Sequence, residues 1–234
     1  IGKNHAGYFD KAGWLFFSKE IFDLLYPSYG DTYPTFSGSI GMTYEQGGSG
    51  RAGLAVITEV GDTLRLADRV AHHVTTGLST VETSARNADK LVAEYQKFRK
   101  QKDFKYDSYV IKGSNNQIAP LLDLLGKNNI DWQMVSTSTQ AVAAKGFHFK
   151  TGAQEAFKLE IGDILVSTQQ EKGTLVSVLF EHSTKLSDSL TYDITAWSMP
   201  YAYGLDAYAV EGQLKATPYV ATGERKSDFM ATEG

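Results

Sequence analysis

The chain has no cysteine among its 234 residues. That absence excludes a disulfide scaffold, a cysteine-ligated zinc or iron–sulfur centre and any thiol nucleophile. Proline is scarce, at five residues. No apolar run approaches the roughly 18–20 residues of a membrane span. The longest, Gly13-Trp14-Leu15-Phe16-Phe17, is far too short. Basic charge is not in excess: the net charge of −4 argues against a protein that grips a nucleic-acid backbone. What is present is ordinary globular composition, 42% hydrophobic, 12% aromatic and 21% charged. A chain of this length can bury a sizeable core. It begins with Ile1 and no signal-peptide pattern, so a processed or excised chain is expected.

Residues 1–62 are rich in Gly, Tyr, Ser and Thr, with turn signals at Tyr26-Pro27-Ser28-Tyr29-Gly30-Asp31, Tyr33-Pro34 and Gly47-Gly48-Ser49-Gly50. Between them a helix is expected over Ser18–Leu25 and a strand over Gly41–Glu45. Leu64, Ala67, Val70, Ala71, Val74 and Leu78 then keep helical spacing, as do Ala88, Leu91, Val92, Tyr95 and Phe98. Two helices are expected, or one long helix broken near Thr75-Thr76-Gly77. Residues 103–107 read as a linker. Beyond them Ser108–Lys112, Gln117–Leu125 and Ile130–Val135 read as strand, helix and strand, the start of a βαβ unit. Ile164–Ser167 reads as a buried strand and Gly173–Glu181 as a helix. The pattern predicts an α/β chain whose second part carries a largely parallel sheet. There is no internal repeat and no low-complexity segment.

The five histidines, His5, His72, His73, His148 and His182, include no HxxE and no HExxH. His72 and His73 are adjacent, so on a helix they diverge by about 100° and cannot chelate together. These histidines read as packing or surface residues, and no complete zinc site is expected in the chain. Gly38-Ser39-Ile40-Gly41 falls one residue short of a nucleophile elbow, and Gly47-Gly48-Ser49-Gly50 lacks the lysine of a phosphate loop. Both read as turns. Glu45 closes a strand-like run flanked by aromatics. A general base with a tuned pKa could sit there, and so could an ordinary capping or ion-paired glutamate.

Residues 14–46, from Trp14-Leu15-Phe16-Phe17 through Tyr26-Pro27-Ser28-Tyr29-Gly30 to Gly41-Met42-Thr43-Tyr44-Glu45-Gln46, resemble the C-terminal half of a carboxypeptidase A-like zinc metallocarboxypeptidase, in particular large bacterial members. The resemblance implies that Tyr26, with Tyr29 as fallback, clamps substrate and that Glu45 is the general base. The helical stretch 67–100 resembles the closing helix of that fold. Tyr192-Asp193-Ile194-Thr195-Ala196-Trp197-Ser198-Met199-Pro200 and Gly204 resemble an appended class I glutamine amidotransferase-like domain, here without its cysteine and so without that chemistry. The family's zinc ligands lie upstream of the tyrosine loop and are absent here.

The implied architecture is the C-terminal part of a carboxypeptidase-type α/β/α domain over 1–103. A small flavodoxin-like α/β accessory domain follows over 104–214, and 215–234 form a tail or the start of a further segment. The implied function belongs to a parent hydrolase that removes C-terminal residues from peptides or proteins, periplasmic or secreted, with zinc in the parent and none on this chain. Its partners would be substrate C-termini and the N-terminal half of the peptidase domain, with no nucleic acid and no membrane span. This chain alone is expected to be inactive. A noncatalytic interaction module and a decayed peptidase homologue remain the alternatives.

Overall fold

The order of apolar and polar residues builds two separate units. The computed structural model describes residues 1–18, 26–46, 55–100, 103–135, 143–184 and 197–214. The first unit comprises Ile1–Leu24 and Gly30–Phe98, and the second Leu25–Tyr29 and Arg99–Gly234. Both helices and sheets are present, so the chain is mixed α/β. The expected helix over Ser18–Leu25, the 47–50 turn and the tail after Leu214 lie outside the described residues.

In the first unit, α1 (Gly2–Ala12) ends at Gly13, whose φ of 68° is the left-handed conformation that closes a helix. A short 3-10 helix follows at Tyr33–Ser37. β1 (Ala55–Ile57) and β2 (Thr63–Arg65) form an antiparallel hairpin. α2 (Leu66–Arg86) starts where Asp68 accepts a hydrogen bond from the Arg65 backbone N–H at 2.8 Å. It runs unbroken through Thr75-Thr76-Gly77. The break falls instead at Asn87, before α3 (Ala88–Arg99). A lone glycine costs a helix only about 1 kcal/mol, too little to stop one that continues for two more turns.

Gly41–Glu45 is not a strand. The segment carries no ladder pairing among the described residues and is held by side chains instead. Gly41 passes so close to the Asp31 carbonyl oxygen that a Cβ would collide with it.

The second unit is a six-stranded sheet in the order β4-β7-β3-β8-β5-β6. Its strands are β3 (Ser108–Lys112), β4 (Gln133–Met134), β5 (Ala143–His148), β6 (Ala153–Lys158), β7 (Ile164–Ser167) and β8 (Asp206–Val210). Every described pairing is antiparallel, which overturns the expected parallel sheet and with it the flavodoxin-like arrangement. The reason is an insertion. β3, α4 (Asn115–Lys127) and β4 do form a βαβ unit with both strands running the same way. β7, arriving thirty residues later, slots between them antiparallel to each. Order along the chain shows the unit but not the strand that splits it.

β3 is buried on both faces, as a central strand must be. Alternation sorts the core into two layers. Val110, Leu165, Tyr208 and Val210 join Phe157 and Leu159 in one cluster. Tyr109 faces the other way and stacks on Phe180, just beyond α5 (Gly173–Leu179), with ring centroids 4.9 Å apart. α4 buries Ile118, Leu121 and Leu125, one helical stripe. Residues 103–107 are tied into this unit: Tyr106 is buried, and the Asp107 N–H donates to the Val210 carbonyl at 3.0 Å. A short α6 (Met199–Ala202) precedes β8.

Candidate functional site

The segment bearing Glu45 is fixed by its neighbours. The Thr43 hydroxyl donates to Asp31, which holds that carboxyl below its usual value. The Tyr44 hydroxyl lies 2.9 Å from His5 Nε2 and 2.8 Å from Thr80 Oγ1. Gln46 Oε1 accepts from His72 Nδ1 at 2.5 Å. Thus Tyr44 reaches α1 and α2, and Gln46 reaches α2. In an extended segment successive side chains alternate, and Glu45, between these two anchors, is exposed.

The anchor is a one-way chain of hydrogen bonds. Asn4 Nδ2 donates to Ser79 Oγ at 2.7 Å and to Glu82 Oε2 at 2.9 Å. The Ser79 hydroxyl lies 2.8 Å from His5 Nδ1 and donates to it when the imidazole is neutral with its proton on Nε2. In that tautomer His5 gives the Nε2 hydrogen bond to Tyr44. Tyr44 passes its own to Thr80, and Thr80 donates to the Thr76 carbonyl at 2.8 Å. This polarity requires a neutral imidazole, and burial lowers the His5 pKa in the same sense. His72 is likewise lowered by burial, between Trp14 and Phe9, whose ring centroids lie 4.4 and 5.2 Å away.

Tyr26 and Tyr29 belong to the second unit, whereas Glu45 belongs to the first. The Tyr29 N–H donates to the Tyr26 carbonyl at 3.2 Å, closing the Pro27-Ser28 turn. Their rings meet edge to face at 5.2 Å, and Trp197 lies 6.2 Å from Tyr26 on its other flank. The Trp197 indole is itself held by Glu181, accepting from Nε1 at 2.9 Å. Tyr26 is half-buried and Tyr29 exposed.

Sequence reasoning singled out Glu45 but missed what fixes it. His5 and His72 read as packing histidines, and the polar stripe His72, Thr76, Ser79, Thr83 was the available signal. It recurs at helical spacing, and three of its members are buried. Among the described residues no group of three or more metal-ligating side chains could hold a metal ion. No described helix is long and apolar enough to cross a membrane. Compared with the known protein families, with curated proteins and with solved structures, the chain matches none.

Proposed function

We propose that this chain is the C-terminal part of a zinc metallocarboxypeptidase-like hydrolase, exported to the periplasm or beyond, with Glu45 as general base. The observation that carries the reading is the anchored Thr43–Gln46 segment. It presents one exposed carboxylate between two hydrogen-bonded, half-buried side chains. Rigid presentation matters because a general base must meet its proton within hydrogen-bond reach. The described residues do not fit a zinc ion. By the resemblance, the zinc ligands lie upstream of the tyrosine loop in the parent protein.

Glu45 takes a proton from water as the water oxygen bonds to the scissile carbonyl carbon. The carbon–nitrogen bond then breaks, and the same proton passes to the departing amine. By the resemblance, Tyr26, with Tyr29 as fallback, hydrogen-bonds near the C-terminal end of the peptide. The second unit, with its antiparallel sheet and no cysteine, serves as a noncatalytic accessory domain.

The test is Glu45→Gln in the full-length protein, assayed on peptides for release of the C-terminal residue. The expected loss is about 10²–10⁴-fold with circular dichroism unchanged. Full activity in the variant removes Glu45 from the role. The second reading, a noncatalytic interaction module, draws on the apolar residues that the first unit leaves exposed. Wild-type protein that releases no residue would favour it.

A further inference from the structure

Arg69 stands at the head of the polar stripe that α2 turns inward. Arg69, His72, Thr76, Ser79 and Thr83 follow in steps of three, four, three and four residues, along one side of the helix. The three in the middle are buried and bonded. His72 reaches Gln46, Thr76 donates to the His73 carbonyl, and Ser79 meets Asn4 and His5. Arg69 is different. Its Nε and Nη2 are buried, and among the described residues neither has a hydrogen-bond partner. The Thr83 hydroxyl shares that condition, but a neutral group costs far less to desolvate than a cation.

A guanidinium cannot relieve that cost by losing its proton, as a buried histidine can. The bonded carboxylates of the first unit do not relieve it either. Asp68 accepts from the Arg65 N–H, Asp31 from the Thr43 hydroxyl, and Glu82 from Asn4, Tyr8 and Arg86. Buried donors in folded proteins are nearly always paired, so two left over on one cation point to an acceptor from outside the chain.

Nε–H and the neighbouring Nη2–H lie along one edge of the planar head group and point the same way. This is the fork that grips two oxygens of a carboxylate or a phosphate at once. Charge decides between the two. One guanidinium balances one negative charge. His72, at the next turn, adds none, because burial lowers its pKa. Arg65, a turn earlier, is exposed, and its charge is screened by water. Asp68 is itself negative. A phosphate dianion would carry surplus charge into a site closed to water, whereas a monocarboxylate is matched. Size decides the rest. The edge is shut off from solvent, so it suits an anion of the formate or acetate class, admitted as the half-buried Arg69 side chain changes rotamer.

We propose that the Nε–Nη2 edge of Arg69 binds a small monocarboxylate, which ties down the first turns of α2. The experiment uses the 234-residue chain in about 50 mM sodium acetate, against sodium chloride and sodium phosphate of equal ionic strength. Two quantities are read: the thermal midpoint, and the nitrogen–proton resonance of Arg69 Nε. None of them requires peptide hydrolysis, so the outcome is separate from the role of Glu45.

Acetate is expected to raise the midpoint by about 3–6 °C at saturation and to shift the Arg69 Nε–H resonance, with neither effect in chloride or phosphate. Arg69→Met removes an unpaired buried charge, so it is at least as stable as the wild type in chloride, and it no longer responds to acetate. Arg69→Lys keeps the charge without the fork and responds weakly. Arg86→Met, at an exposed ion pair, responds like the wild type. Several results overturn the proposal. Arg69→Met less stable than Arg86→Met would mean that the guanidinium is paired within the chain. An acetate response that persists in Arg69→Met would place the anion elsewhere. Equal responses to chloride or phosphate would make it an adventitious ion only. A response to an acetylated dipeptide with a free C-terminal carboxylate, but not to acetate, would make the ligand a chain end. No response to any anion would leave Arg69 turned out to water.

Discussion

Removing one oxygen, the Tyr44 hydroxyl, tests whether the Glu45 segment is held as described. Tyr44→Phe deletes the acceptor for His5 Nε2 at 2.9 Å and the contact to Thr80 at 2.8 Å. Each such bond contributes about 0.5–1.5 kcal/mol net. The ring stays, so its edge-to-face contact with His5 at 5.0 Å survives. His5 is only half-buried, and water can reach the freed N–H, which removes the heavier penalty of a buried orphan. The sum is a loss of about 1–3 kcal/mol, local to α1 and its junction with α2. Amide exchange in α1 should therefore accelerate by about 5–150-fold. Tyr8→Phe is the control. It removes one bond to Glu82 on an exposed surface and should change local stability by less than about 0.5 kcal/mol. If Tyr44→Phe exchanges no faster than Tyr8→Phe, the polarised chain from Asn4 to Thr76 does not anchor the segment.

Three further outcomes follow from the geometry. Gly173→Ala sets a methyl group against the Thr168 carbonyl and 3.0 Å from Phe104, so urea unfolding should show a loss of about 1–3 kcal/mol; an unchanged midpoint would mean the turn before α5 relaxes freely. His148→Leu removes the ring whose Nδ1 lies 3.0 Å from Glu155 and whose Nε2 lies 2.7 Å from Asp206, a brace from β5 to β6 and β8. Because both carboxylates are 37% exposed and can rehydrate, the expected loss is only about 1–2 kcal/mol by the same unfolding assay, and no loss would make the brace ornamental. Lowered pH should destabilise the chain, because burial lowers His5, His72 and His182 below the ordinary 6.5. The unfolded chain takes up protons first, so this stability is complete above pH 6.5 and is lost as the pH falls through the lowered folded values. Thermal melts between about pH 7.5 and 5 should fall steadily, and a flat profile would contradict the three shifts together.

Much of the second unit was legible because its central strands are apolar throughout. Ser108–Lys112 and Ile164–Ser167 were read with the bounds they have, since burial on both faces leaves an unbroken run. β5 and β6 escaped notice because Ala, Lys, Gln and Glu break the alternation that marks a strand. Ile130–Val135 shrinks to a two-residue strand at the sheet edge, where pairing on one side ends early. In the first unit, helical spacing located α2 but not its orientation. Val70, Val74 and Leu78 have the period of a core face, yet they point outward, and the side that packs is a line of hydroxyls and a histidine. Periodicity reports that a helix has two faces, and the partners decide which is inside. Glu45 was found at the end of a supposed strand. Its fixation depends on Asn4, His5, Ser79 and Thr80, whose meeting no local pattern announces.

The position of β8 carries a consequence for synthesis. Lying between β3 and β5, it is the seam through which the β5–β6 hairpin joins the rest of the sheet. Among the described strands it is also the last to leave the ribosome. Until Val210 emerges, β3 offers a long unpaired edge to any strand nearby, since its pairing with β8 spans about a hundred residues of chain. The growing chain must wait with a central, buried strand half-open. Slower translation past residue 210, or a chaperone that shields that edge, would raise the yield of folded protein.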